Sequence, residues 1–215
     1  MDNMSRKLPI GIQTFEKLRE GNHVYVDKTA FIWKIASTET PYFLSRPRRF
    51  GKSLLLSTFE AYFEGKKELF EGLAIAGLEK EWNEYPVLHL DLNAEKYDSP
   101  RKLNDILSNN LTRWEAEYGK GEDEPTLSLR FSGVIRRASE RAGRGVVVLV
   151  DEYDKPLLQT LGNDALLEDY RQTLKAFYGV LKSSDRYLRF VFLTGVTKFA
   201  QVSVFSDLNQ LNDIS

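Results

Sequence analysis

Residues 42–56 read YFLSRPRRFGKSLLL, which is a short apolar segment followed by a basic loop and a second apolar segment. The loop ends in Gly51, Lys52 and Ser53, the residue types that a phosphate-binding loop (Walker A motif) requires. In such a loop, backbone N–H groups face the phosphates at a helix N-terminus, the Lys neutralises the β- and γ-phosphates, and the Ser hydroxyl binds Mg²⁺. The stretch therefore predicts a nucleotide-binding loop between a strand and a helix.

This loop departs from the motif G-x-x-x-x-G-K-[ST] at its first position, where Arg46 replaces the glycine. The loop entry must then use an ordinary φ angle, which Pro47 would stiffen. A GK[ST] tripeptide alone arises by chance in roughly one chain of this length in ten. Arg46, Arg48 and Arg49 either form a solvated basic loop or add positive charge beside a phosphate chain. Their position inside the loop favours the second interpretation.

A second stretch, VVVLVDEYD at residues 146–154, follows the loop in the chain. Its apolar run lacks polar alternation, which predicts a strand buried on both faces. Asp151 and Glu152 emerge from the carboxyl end of this strand, where open α/β sheets bind their ligands. In a P-loop ATPase the Asp (Walker B motif) holds Mg²⁺ and an adjacent Glu polarises the attacking water. Acidic residues also cap helices after strands, but the two motifs in this order favour an ATPase.

The whole pattern predicts an α/β fold with a mainly parallel sheet flanked by helices, the three-layer architecture of P-loop NTPases. Residues 1–40 fit the alternation less well and are predicted to be a lead-in packed on the sheet, with a strand at 24–26 and a helix at 29–35. The core is then one domain, residues 41–215. Its predicted strands are 42–45, 87–92, 146–150 and 189–194, and its predicted helices begin near residues 51, 99, 127 and 164.

The strand at 189–194 ends in Thr194, and Thr197 follows shortly after. A polar residue at the end of the strand beside the loop can contact the γ-phosphate or the attacking water, so Thr194 is the first candidate and Thr197 the second. Threonine is also a common strand former, which leaves a structural role equally open. For Asp154 we favour a helix cap, with a carboxylate that supports the site as the alternative.

Composition excludes several classes of function. The 30 Lys and Arg residues and 31 Asp and Glu residues give a formal net charge of −1, which does not indicate nucleic acid as a partner of this chain. Cysteine is absent, which excludes disulfides, thiolate metal sites and cysteine nucleophiles. Without a signal-peptide core or a long apolar run, we expect a soluble cytoplasmic protein that does not contact membranes.

Four segments together resemble the AAA-ATPase-like family of bacterial P-loop proteins. They are LPIGIQTFEKLREGNHVYVDKTAFI at 8–32, PYFLSRPRRFGKSLLLSTFEAYFEG at 41–65, VLVDEYDKPL at 148–157 and FLTGVTKFAQVSVFSDLNQLNDIS at 192–215. The loop of that family likewise lacks the first glycine, so Arg46 becomes part of the resemblance.

The resemblance implies binding and hydrolysis of ATP, rather than GTP, with Mg²⁺ as the cofactor. Matched position by position, Gly51, Lys52 and Ser53 would bind the nucleotide, Asp151 the magnesium and Glu152 the attacking water. Together with the residue analysis, this gives Ser53 and Asp151 as predicted metal ligands and Lys52, Glu152 and Thr194 as predicted catalytic residues. The nucleotide would contact the loop residues Arg46, Pro47, Arg48, Arg49, Phe50, Gly51, Lys52, Ser53 and Leu54. An ATP-binding switch or interaction module with little hydrolysis is the main alternative. A P-loop kinase is disfavoured, because adjacent Asp151 and Glu152 suit water activation better than acceptor recognition.

Members of this family typically continue into a nuclease-like second half, before which the present chain ends. The P-loop ATPases that the resemblance implies also place the loop strand between the Thr194 strand and a fifth strand. Residues 202–205 are the one weak candidate for that strand. We therefore expect a C-terminally truncated chain whose loop strand has an unprotected edge, with a missing C-terminal domain or further copies of the chain as partners.

Overall fold

The structure, a computed structural model, describes residues 6–38, 40–93, 95–198, 204–205 and 211–215. A five-stranded sheet in the order β2-β3-β4-β1-β5 forms its centre, and every neighbouring pair of strands is parallel. The strands are β1 (Tyr42–Ser45), β2 (Val87–Asp91), β3 (Val146–Asp151), β4 (Leu188–Gly195) and β5 (Asn212–Asp213). The four longer strands match the predicted ones to within one residue, and the predicted parallel α/β sheet is confirmed.

Helices cover both faces of the sheet. They are α1 (Phe15–Glu20), α2 (Thr29–Ala36), α3 (Lys52–Phe63), α4 (Ala74–Leu78), α5 (Pro100–Tyr118), α6 (Leu127–Ala142), α7 (Lys155–Gln159) and α8 (Asp164–Ser183), with 3₁₀ turns at Lys67–Phe70 and Asp185–Tyr187. Two of the long helices, α5 and α6, end at a glycine with a positive φ. Gly119 after α5 has φ +92° and Gly143 after α6 has φ +62°. None of the helices in the described part of the chain is long and apolar enough to cross a membrane.

Two apolar layers hold the helices against the sheet. Phe59 and Phe63 of α3 pack on one face, against Phe190 and Phe192 of β4, with ring centroids 4.9–5.1 Å apart for the closest pairs. The other face packs against α5, α6 and α8. All six residues of β3 are buried, as the absence of polar alternation predicted. The sheet therefore holds α3, and with it the loop before α3, at a fixed place.

The outer edge of β1 is covered, so the expectation of an unprotected edge is wrong. The Asn212 N–H donates to the Pro41 carbonyl at 2.8 Å, and the Ile214 N–H donates to the Phe43 carbonyl at 3.0 Å. The strand β5 consists of two polar residues, which show no alternation of apolar and polar positions, so the sequence did not predict it. The sequence offered residues 202–205 as the candidate for this fifth strand. Residues 202 and 203 lie outside the described part, while Val204 and Phe205 are buried and belong to no strand.

The N-terminal region contacts α3 through α1 and α2. Phe15 of α1 and Ile32 of α2 belong to the apolar layer of α3, and the predicted helix at 29–35 is confirmed as α2. The predicted strand at 24–26 is wrong, because only an isolated bridge joins Lys7 to His23 there, and Val26 is exposed. The division into a lead-in of residues 1–40 and a core of residues 41–215 stays a prediction.

We predict that Phe59→Ala lowers the free energy of unfolding by about 3–5 kcal/mol, because it leaves a cavity among buried rings. Phe31→Ala is the matched control, since Phe31 is 65% exposed and Phe59 is fully buried. Urea denaturation followed by circular dichroism measures both. Equal midpoints for the two variants would contradict the assignment of Phe59 to the core.

Candidate functional site

A cleft of about 240 Å³ lies where the loop of residues 46–51 meets the N-terminus of α3. The carboxyl ends of β1, β3 and β4 lie at the same edge of the sheet, which is where open α/β sheets bind ligands. The residues that line the cleft are Gln13, Arg48, Arg49, Gly51, Lys52, Ser53, Leu54, Asn93 and Glu152.

The loop reverses direction through two left-handed residues. Gly51 has φ +78° and Arg49 has φ +69°, and the second is an unusual backbone for a residue with a side chain. A Cβ on Gly51 would meet no atom within 4 Å, so the backbone angle rather than space requires glycine here. The Gly51 carbonyl accepts the N–H of Leu55 at 2.9 Å and begins α3. The free N–H groups of the first turn therefore face the cleft.

Lys52 lies in the floor of the cleft with only 4% of its surface exposed. Its ammonium donates to the carbonyls of Arg46 at 2.9 Å and of Pro47 at 3.4 Å. It also lies 3.1 Å from Glu152 Oε1. All three N–H donors of the ammonium thus have partners, and Glu152 supplies the single countercharge.

Asp151 joins three elements through its two carboxylate oxygens. Ser53 of α3 donates its hydroxyl to Oδ2 at 2.6 Å, and Thr194 of β4 donates its hydroxyl to Oδ1 at 2.5 Å. Thr194 is fully buried and does not line the cleft. It therefore positions Asp151 from inside the fold. A contact of Thr194 with the γ-phosphate or the attacking water stays a prediction.

Glu152 has a left-handed backbone with φ +55° and a partly buried side chain. Burial raises the pKa of Glu152, and the hydrogen bond and the charge of Lys52 offset only part of that rise. A carboxylate with a raised pKa next to the candidate phosphate-binding loop is suited to accept a proton from water.

The loop residues divide into two groups. Arg48, Arg49, Gly51, Lys52, Ser53 and Leu54 line the cleft, which also answers which of the three arginines face it. Arg46 and Pro47 do not line it and contribute carbonyl oxygens to Lys52 instead. Phe50 is 69% exposed and is not a lining residue.

Sequence reasoning missed Gln13 and Asn93, which also line the cleft. Asn93 follows the carboxyl end of β2, just as Asp151 lies at the carboxyl end of β3. The position of Asn93 after a predicted strand was therefore a usable signal. Lys155 donates to the carbonyl and to Oδ1 of Asn93 and holds it there. Gln13 had no sequence signal, because its position depends on Ser57 of α3, whose hydroxyl donates to the Gln13 carbonyl at 3.3 Å.

The cap assignment of Asp154 is wrong. Asp154 precedes α7, but its carboxylate accepts no hydrogen bond from that helix. It accepts the Val196 N–H, the Thr197 N–H and the Thr197 hydroxyl. The Thr197 hydroxyl is therefore already engaged, which argues against Thr197 as the second γ-phosphate contact.

A sequence profile of the AAA-ATPase-like family, described as a predicted AAA-ATPase, matches residues 9–205. This chain belongs to the AAA-ATPase-like family. The match includes the loop, Asp151, Glu152 and Thr194. AAA-ATPase-like proteins bind nucleotides in the manner of ATPases, and the resemblance of the four quoted segments is confirmed at the level of the family.

One relative is 44% identical over 214 residues, described as an uncharacterized protein in the vnfD 5′ region of Azotobacter chroococcum mcd 1. The alignment covers 99% of this AAA-ATPase-like chain but 42% of the relative, so the chain spans less than half of that protein's length. No solved structure matches the chain.

We predict that Gly195→Ala destabilises the protein by about 1–3 kcal/mol through overpacking at the end of β4. A Cβ at Gly195 would lie 2.4 Å from the Tyr153 ring and 2.9 Å from Asp154 Oδ1. Gly179→Ala is the matched control, because a Cβ there meets nothing within 4 Å inside α8 and should stabilise the helix by about 0.5–1 kcal/mol. Thermal unfolding measures both, and a stable Gly195→Ala variant would refute the tight contact.

Proposed function

We propose that this domain binds ATP with Mg²⁺ and hydrolyses it. The observation that carries the proposal is that Lys52, Ser53 and Glu152 line one cleft and that Asp151 is bonded to Ser53 beside it. Contacts of 2.6 Å between Ser53 and Asp151 and of 3.1 Å between Lys52 and Glu152 join them in pairs. Membership of the AAA-ATPase-like family supports the same activity. The proposal places the domain in the cytoplasm, where ATP and Mg²⁺ are abundant.

The donor set suits Mg²⁺ better than a metal held by protein ligands alone. Ser53 and Asp151 offer a hydroxyl and a carboxylate side by side, and Mg²⁺ takes one or two such ligands together with phosphates and water. Within the described ranges no group of three or more His, Asp or Glu residues could hold a metal by itself. Bound at Ser53 and Asp151, Mg²⁺ would neutralise charge on the phosphate oxygens.

Phosphate binding would replace Glu152 by a phosphate as the anionic partner of Lys52. A γ-phosphate at the N-terminus of α3 competes with Glu152 for the ammonium, because both are anions at the same donor. Once displaced, the Glu152 carboxylate can accept a proton from a water molecule. The water oxygen then forms a bond to the γ-phosphorus, the bond to the bridging oxygen breaks, and its electron pair leaves with ADP.

The ion pair between Lys52 and Glu152 also supports a second function, that of an ATP-dependent switch with little hydrolysis. In that case displacement of Glu152 by the nucleotide changes the conformation of the domain, and water activation needs residues from another chain or domain. We propose further copies of this chain or a C-terminal domain as those partners. Phosphate release by the purified domain distinguishes the two functions.

We predict that Lys52→Ala weakens MgATP binding by at least about tenfold, because a buried ammonium no longer faces the phosphates. Isothermal titration calorimetry with a non-hydrolysable ATP analogue measures the loss. Lys34→Ala, a change of a lysine on α2 that does not line the cleft, serves as the control. Equal affinity in Lys52→Ala and the wild type would rule out the assignment of the loop.

We predict opposite effects of Glu152→Gln on binding and on turnover. Binding should tighten by roughly threefold to tenfold, because Lys52 loses the carboxylate that competes with phosphate. Turnover should fall by at least about a hundredfold, because an amide accepts no proton from water. Glu68→Gln, at an exposed glutamate that does not line the cleft, controls for the loss of a carboxylate. A Glu152→Gln variant that keeps turnover would exclude Glu152 as the base.

We predict that kcat/KM for MgATP falls as the pH decreases through the pKa of Glu152 in the nucleotide-free protein, which is raised above the ordinary glutamate value of 4.5. The direction follows from the chemistry, since a protonated carboxyl cannot accept a proton. Phosphate release between pH 4.5 and pH 8 measures the profile, with circular dichroism to confirm that the protein stays folded. The residual rate of Glu152→Gln should lack this acid limb, and an identical limb in that variant would assign it to another group.

A further inference from the structure

Asp154 is a fully buried carboxylate that the proposed chemistry leaves without a role. Its Oδ2 accepts the Thr197 N–H at 2.7 Å, the Thr197 hydroxyl at 2.9 Å and the Val196 N–H at 3.1 Å, and its Oδ1 lies 3.1 Å from the same Val196 nitrogen. These donors all belong to the turn that follows β4. The carboxylate thus links the end of β3 to the end of β4 beyond the last paired residues.

This carboxylate has no cationic partner among the described residues. Burial of a carboxylate costs several kcal/mol unless hydrogen bonds replace its water, so a buried acid held by backbone N–H groups serves a defined geometry. An apolar residue would fill the space without that cost, but it could not orient the Val196–Thr197 turn.

Tyr153 adds two hydrogen bonds between the segment after β3 and the end of β4 with its following turn. Its N–H donates to the Thr194 carbonyl at 2.9 Å, and its hydroxyl donates to the Thr197 carbonyl at 3.0 Å. Tyr153 is fully buried and leaves no room for a side chain on Gly195. The segment after β3 and the turn after β4 therefore behave as one packed unit.

The reacting groups extend from this unit. Glu152 directly precedes Tyr153 and has the left-handed backbone, while Thr194 holds the carboxylate of Asp151. The Ser45 hydroxyl donates to the Val196 carbonyl at 3.2 Å, which also ties the start of the loop to the turn. A shift of the turn would therefore move the two acidic side chains relative to Lys52.

We propose that Asp154 is a positioning residue, whose bonds to Val196 and Thr197 set where Glu152 and Asp151 stand relative to Lys52 and Ser53. The proposal rests on the proposed function of the site. It assigns to Thr197 the role of the hydroxyl that orients Asp154, in place of a contact with nucleotide.

The first test variant is Thr197→Val, which keeps the shape of the side chain and removes the hydroxyl. Amide hydrogen exchange of the nucleotide-free protein should become about tenfold faster in residues 150–156, although the substitution lies in another segment. The kcat for MgATP should fall by about tenfold, with Kd for the nucleotide changed by less than about threefold. Asp154→Asn should produce the same pattern, because an amide N–H₂ would face one of the donors.

Two further variants separate positioning from general stability. Thr197→Ser keeps the hydroxyl and should restore both exchange and kcat to within about twofold of the wild type. Thr160→Val removes a buried hydroxyl that, within the described part of the chain, bonds to the Pro156 and Leu157 carbonyls of the preceding helix α7 and to no other group. It should lower the melting temperature without changing kcat or the exchange of residues 192–198.

The proposal is overturned if Thr197→Val changes amide hydrogen exchange only in residues 192–198 and leaves kcat unchanged. It is also overturned by a loss of kcat that Thr197→Ser does not restore. A wild-type domain that binds no ATP would overturn the proposed function instead, and the exchange measurement, which needs no nucleotide, would still decide the role of Asp154.

Discussion

The site depends on the hydrogen bonds that the carboxylate of Asp151 accepts. This carboxylate accepts one hydroxyl from Ser53 at the start of α3 and another from Thr194 at the end of β4, and it stands at the end of β3. Three elements that are far apart in the chain thus meet at one side chain. Because the aromatic layer under α3 holds that helix on the sheet, the loop before α3 cannot move far from Asp151.

The site keeps features that lower stability. A lysine is buried, a glutamate is partly buried beside it, and Arg49 and Glu152 both have left-handed backbones. Buried charges and strained backbones persist where the surrounding structure holds them and where they serve a function. Left-handed non-glycine backbones also occur at Asn22 and Trp82, but at the cleft they coincide with the buried ion pair of Lys52 and Glu152. This coincidence supports the carboxyl edge of the sheet as the candidate functional site of this domain.

Much of the candidate site could be predicted from the sequence. Lys52, Ser53, Asp151 and Glu152 each carry a local signal, since a loop before a helix and an acidic pair after a buried strand are patterns of adjacent residues. Thr194 and Asp154 were noticed, but their contacts with Asp151 and with the Val196–Thr197 turn were not predicted. Their partners lie 43 positions away in the chain, and no periodicity or spacing encodes such a pairing.

The sequence by itself determined the α/β class, four of the five strands in the described part of the chain, the candidate phosphate-binding loop and the family. These follow from local apolar patterns and from short motifs whose chemistry needs particular residue types. Only the tertiary structure decided that β5 covers β1, that Gln13 and Asn93 reach the cleft, and that Lys52 is paired with Glu152. Each of these depends on packing between segments distant in the chain, and packing is a property of the folded molecule as a whole.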